Sequence, residues 1–128
     1  MPGLVTETFG GGDQSWLGGT HGISDARTEI LDLSAFTLAT HYPNGYIPSG
    51  LPVAKVSGVL VPYDATEGTT TGAGILAGFV LFDHHVVGTA DFGVALFDHG
   101  RVVVANTPIT FVAPAAAAKR AATTIVFI

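Results

Sequence analysis

Glycine and proline interrupt this chain so often that only short strands and turns fit between them. Pro43-Asn44-Gly45 is a turn by its chemistry, because proline fixes φ and Asn-Gly tolerates positive φ. Pro48 and Pro52 exclude a helix and argue against a central strand position. Gly58 interrupts the β-branched run Val53–Val61 and predicts a bulge or bend. Pro62-Tyr63-Asp64 closes that run, and Ala65–Gly72 is a threonine- and glycine-rich loop. The run Ala73–Phe82 carries Gly74 and Gly78 among apolar residues and reads as a strand buried on both faces. Gly93–Asp98 and Arg101–Ala105 flank His99-Gly100, a hairpin signal. Phe36–Thr40 alternates as a half-buried strand would, and Asp83–Val86 reads as a polar turn. The helix expected from propensity is Ala115–Ala122, opened by Pro114 and carrying Lys119 and Arg120 near its negative end. The terminal Thr123–Ile128 is too apolar for water and reads as a strand. The fold class is mainly β, with six to eight short strands.

The first 22 residues differ from the rest. Seven of them are glycine, which raises the entropic cost of ordering, and no apolar periodicity is sustained. Large apolar residues still recur at Leu4, Val5, Phe9, Trp16 and Leu17. Flexible backbone with spaced anchors suits a segment that orders on a partner; the alternative is a tail packed on its own domain. Residues 1–22 are therefore expected to be a mobile binding arm, and residues 23–128 a β-rich domain.

Surface chemistry narrows the function. Hydrophobic residues make up 48% of the 128 and charged residues 12%, about half the usual share of charge. A chain this short cannot hide all its apolar side chains in one core, so other subunits or a partner are expected to cover the surplus. The longest apolar runs fall short of a membrane span, and Met1-Pro2-Gly3-Leu4 lacks the basic and apolar regions of a signal peptide, so synthesis in a cytoplasm is expected. The absence of cysteine excludes disulfides and thiolate chemistry. Arg27, Lys55, Arg101, Lys119 and Arg120 are the only basic residues beside a net charge of −5, too few to track a phosphate backbone. Five acids against one base fall in residues 1–34, so a basic partner surface would complement the N-terminal part.

Catalytic groups are sparse. Asp83-His84-His85 is the densest titratable cluster, but adjacent histidines on a strand point to opposite faces. A metal hydrolase would rest on Asp83, His84, His85 and Asp98. Asp98-His99 lacks a Gly-x-Ser-x-Gly partner, and Gly10-Gly11-Gly12 and Gly72-Ala73-Gly74 lack the strand–helix context of a phosphate loop. His21 and His41 stand alone. No catalytic residue, cofactor or metal is expected. A glycan-binding β-sandwich or barrel is the alternative binding module, using Tyr42, Tyr46 and Tyr63.

Four segments in order carry a family resemblance: Tyr46-Ile47-Pro48-Ser49-Gly50-Leu51-Pro52-Val53-Ala54-Lys55-Val56, Val61-Pro62-Tyr63-Asp64, Gly74-Ile75-Leu76-Ala77-Gly78, and Leu96-Phe97-Asp98-His99-Gly100-Arg101-Val102. Together, over about residues 27–128, they resemble the head decoration proteins of tailed bacteriophages, the lambda D-like capsid-stabilising group. The resemblance implies a β-clip-like decoration-protein fold with one short helix and a flexible N-terminal arm. It implies a homotrimer on the outer surface of the expanded capsid, with the phage major capsid protein as partner and no nucleic acid or membrane. It also implies an arm that adds β structure to that partner. The capsid-binding residues would be Leu4, Val5, Thr6 and Phe9 in the strand-adding piece, with Trp16 and Leu17 as anchor.

Overall fold

In the computed structural model, the described residues are 14–18, 27–67, 72–86, 88–109, 111–114, 117–119 and 122–128. They form a mainly β structure with one short helix. Five strands close into a barrel: β1 (Arg27–Leu31), β3 (Pro52–Val56), β4 (Val59–Pro62), β5 (Leu76–Val80) and β7 (Phe92–Phe97), in the order β1-β4-β3-β5-β7. Two small sheets lie outside it. One pairs β2 (Tyr46–Ile47) with β6 (His84–His85), antiparallel; the other pairs β8 (His99–Val102) with β9 (Thr124–Phe127), parallel.

Two clusters of buried side chains explain this layout. Leu31, Val53, Leu60, Val80, Val94 and Leu96 come from all five barrel strands and join Phe36, Ile47 and Leu51 in the first. Trp16, Leu76, Phe79, Leu81, Phe97, Val102 and Phe111 form the second, against which Ile125 and Phe127 of β9 pack. Strand β5 is buried along its whole length because it feeds both clusters. Its register against β3 shifts between Val53, opposite Gly78, and Ala54, opposite Leu76, so Ala77 is a bulged residue. Gly78 is required there: its φ is +149°, and a Cβ would stand 2.5 Å from the carbonyl oxygen of Phe97.

Several sequence expectations change. Val53–Val61 is two strands, not one bulged strand. Ser57 (φ +55°) and Gly58 (φ +84°) form a two-residue hairpin loop whose doubly positive φ matches strand twist. Pro52 opens β3, a central strand, at its first residue, where proline is tolerated. The alternating Phe36–Thr40 is not a strand. Leu38–His41 makes the short helix α1, and the N–H of Thr37 donates to His41 Nδ1 at 2.8 Å across its start. Asp83–Val86 is not a free turn, since His84 and His85 pair with Ile47 and Tyr46 as β6. Of the expected helix Ala115–Ala122, Ala117–Lys119 form a 3-10 turn, and residues 115, 116, 120 and 121 lie outside the described residues. His99-Gly100 is no hairpin tip: both residues lie in β8, which turns away from β7 and pairs with the terminal strand 25 residues later. No described helix is long and apolar enough to cross a membrane.

Candidate interaction surface

The binding residues expected from sequence divide into two groups. Leu4, Val5, Thr6 and Phe9 lie outside the described residues, as does the rest of the expected arm except residues 14–18. Trp16 and Leu17 are described, and both belong to the packed body. The backbone from Trp16 to Gly18 runs antiparallel along β8. Val103 N–H donates to the Trp16 carbonyl at 2.6 Å, Gly18 N–H donates to the Arg101 carbonyl at 2.9 Å, and Leu17 bridges to Val102.

Trp16 is wholly buried. Its ring stacks on Phe79 with centroids 5.6 Å apart and meets Phe97 edge-on at 5.4 Å. Its indole Nε1–H donates to Ser49 Oγ at 2.9 Å, and that hydroxyl donates to the Leu81 carbonyl at 2.7 Å. The same carbonyl accepts from Gln14 Nε2 at 2.8 Å. Ser49 N–H donates to Asp83 Oδ1 at 2.7 Å, so Asp83 holds the loop that receives the tryptophan. Asn106 Nδ2 donates to the Ser15 carbonyl at 3.0 Å. Residues 14–18 are thus latched to the body by a stacked aromatic and a chain of side-chain hydrogen bonds. Trp16 is an internal anchor, and its ring is not offered to a partner surface. Ser49, Gly50 and Asp83 were missed in the sequence as parts of this latch. The available signal was Pro48-Ser49-Gly50, a turn whose glycine leaves room for a large ring.

Among the described residues the opposite edge of the same sheet is open. Strand β9 pairs with β8 on one side only, and no other strand among the described residues flanks it. Thr124 and Ile128 donate their N–H groups toward β8, to the carbonyls of Asp98 and Val102. By alternation Ile125 and Phe127 direct theirs away from β8. An open groove of about 440 Å³ follows this edge, lined by Thr123, Thr124, Ile125, Val126 and Phe127. Its described lining residues include no charged side chain and no proline, the usual guards of an exposed edge. Val126 and Ile128 are 54% and 56% exposed on the outer face.

The described titratable residues do not converge. His84 is half-buried beside Phe92, its ring centroid 6.1 Å away, and its Nε2 is buried without a hydrogen-bond partner among the described residues. Burial holds its pKa below the usual histidine value, with the neighbouring Asp83 charge opposing. His85 points to the other face and is exposed. His99 Nδ1 contacts Thr124 Oγ1 at 2.5 Å, tying β8 to β9. His41 is also held below its usual pKa by burial. Among the described residues no three His, Cys, Asp or Glu side chains could share a metal ion, so Asp83, His84, His85 and Asp98 are not gathered into one centre. The three tyrosines serve separate places: Tyr42 packs on the barrel core, Tyr63 lies 5.4 Å from Phe111, and Tyr46 lines a groove with Pro48 and Pro108. No protein-family model, characterised protein or solved structure matches this chain.

Proposed function

We propose that this chain is a non-enzymatic structural protein of a tailed-bacteriophage virion. Made in the bacterial host cytoplasm, it binds the outside of the expanded capsid as a homotrimer and bridges subunits of the major capsid protein. The reading rests on the family resemblance of four segments, which here build β2, the tryptophan latch, β3, the end of β4, much of β5, and β8.

The structural observation that carries it is the latch at Trp16. A bridging arm must transmit load from partner to body. An arm joined to its domain only by flexible glycine would yield under tension. Here the chain just after the arm is fixed by a buried indole and backbone bonds to β8 before the glycine-rich stretch resumes at Gly18. Residues 14–18 are therefore a fixed attachment point for the arm, beside β8. Strand addition by such an arm gives backbone hydrogen bonds, and its spaced apolar side chains give selectivity. Three arms acting together raise avidity without tight single contacts.

The test is to mix the purified protein with expanded, undecorated phage capsids and sediment them. Saturable retention at a fixed ratio to capsid subunits, with raised resistance of the shell to heat or chelator, is the expected result. Absence of retention on capsids from every candidate host phage overturns the reading.

A further inference from the structure

We infer that the groove beside β2 is a docking site for an extended, proline-rich segment of a partner protein with a basic side chain at one end. This role stands apart from capsid binding by the N-terminal arm.

Two hollows of about 190 and 200 Å³ share Tyr46, Pro48 and Pro108, and so adjoin as one groove. Each alone is smaller than an ordinary small-molecule pocket of about 300–1,000 Å³. A row of small hollows suits successive side chains of an extended chain instead. Pro43 adds a third proline to the lining. An aromatic ring set among apolar residues is the kind of surface on which polyproline II segments dock. The groove is also preformed. Its prolines hold their own φ. Ser49 N–H donates to Asp83 Oδ1 at 2.7 Å, and Asn106 Nδ2 donates to the Ser15 carbonyl at 3.0 Å, so the walls of the first hollow are pinned to the body. Binding therefore has little protein ordering to offset.

The unspent polar groups select the same ligand. A polyproline II segment makes no internal hydrogen bonds, so its carbonyls all require donors from outside. The side chains of Thr40, Asn44 and Tyr46 line the second hollow and make no hydrogen bond among the described residues. His41 lines it too; its Nδ1 accepts the Thr37 N–H, which leaves the ring proton on Nε2. All four side chains can donate to a carbonyl. A sugar presents hydroxyls that need acceptors as well as donors, and the described lining holds one carboxylate, Asp83. That carboxylate lies in the first hollow, with lone pairs left for a cation after Ser49 is bonded. No Lys or Arg is among the described lining residues, so the charge of the groove complements a basic end on the ligand.

NMR titration of the full-length protein with short synthetic peptides tests this. One peptide carries an arginine before a Pro-Pro-Leu repeat, one carries it after, and one has no arginine. The expected result is saturable shifts at the Asn44, Tyr46 and Asn106 amides, strongest with one of the arginine peptides. Tyr46→Ala should weaken that peptide by at least about tenfold. Tyr46 also pairs with His85, so Asn44→Ala in the exposed turn is a second variant, expected to weaken binding without touching β2. Asp83→Asn keeps an acceptor for Ser49 and removes the charge, and should reduce the arginine peptide to the affinity of the one without arginine. Unchanged Trp16 emission in each variant reports an intact body. No shift at these amides with any peptide at millimolar concentration overturns the proposal. So does equal affinity for all three peptides, or binding unaffected by both Tyr46→Ala and Asn44→Ala. Shifts at the same amides with maltohexaose and not with the peptides would assign the groove to a glycan and overturn it as well. Capsid retention is measured separately on arm variants, so either reading can fail without the other.

Discussion

A Cβ atom on Gly50 would stand 2.6 Å from Cδ1 of the Trp16 indole, and Gly50 itself holds φ at +89°. The residue thus serves the latch twice, as the only type that takes this backbone without strain and as the floor under the ring. Gly50→Ala should push the indole off Phe79 and add left-handed strain of about 1–2 kcal/mol. The expected outcome is a lower midpoint in urea and a red-shifted Trp16 emission. Since Trp16 is the only tryptophan, its fluorescence reports the latch alone.

The boundary between arm and body follows from the same residue. Trp16→Ala removes a fully buried indole and should cost about 3–5 kcal/mol. A truncation starting at Gln14 keeps the latch and should unfold at nearly the wild-type midpoint. One starting at Ile23 loses Trp16, the bridge to Val102 and the bond from Gln14, and should unfold much earlier. Equal midpoints for the two truncations would contradict the latch.

These contacts also mark what the sequence concealed. Strand β5 was legible because its apolar run lies between two cores, and β9 because its β-branched and aromatic residues favour a strand. The Pro62 and Pro43-Asn44-Gly45 boundaries held because they rest on local backbone chemistry. Trp16 was not legible as a core residue. Its neighbours are glycines, and the residues that bury it lie at positions 49, 79 and 97. His99-Gly100 has turn chemistry, yet pairing with Thr124 and Ile125 makes it strand. Phe36–Thr40 alternates like a strand, yet Leu38–His41 is a helical turn across whose start His41 accepts the Thr37 N–H, a contact that periodicity does not encode. The open edge of β9 among the described residues exists only once β8 has been assigned its partner.

Stability should fall as the solution is acidified through the histidine range. His41 and His84 are both held below their ordinary value of 6.5 by burial. Above 6.5 neither folded nor unfolded chain protonates them, so they add no pH dependence. Below it the unfolded chain takes up protons that the folded chain refuses, and unfolding becomes easier until the lowered folded values are reached. Urea midpoints measured from pH 7.5 to 5 should decline, and the decline should be shallower in His84→Asn. An unchanged slope in that variant would mean that His84 is not the group responsible.

The capsid reading makes its sharpest prediction at residues that precede the latch. Phe9→Ala and Val5→Ala precede the latch, so the unfolding midpoint should stay at the wild-type value. If residues 4–9 add to the capsid, each arm loses an apolar anchor. An aromatic anchor worth about 2 kcal/mol corresponds to about thirtyfold in affinity, compounded when three arms act together. Retention on expanded capsids should therefore drop steeply for Phe9→Ala while the fold is unchanged. His85→Asn lies on the exposed face of β6 and should bind as the wild type does. Trp16→Ala should weaken binding too, but by loosening the body that holds the arm, so its loss of retention should track its loss of stability. Full retention of Phe9→Ala, together with loss on His85→Asn, would move the binding surface from the N-terminal arm to the β2–β6 sheet and overturn the assignment of Leu4, Val5, Thr6 and Phe9.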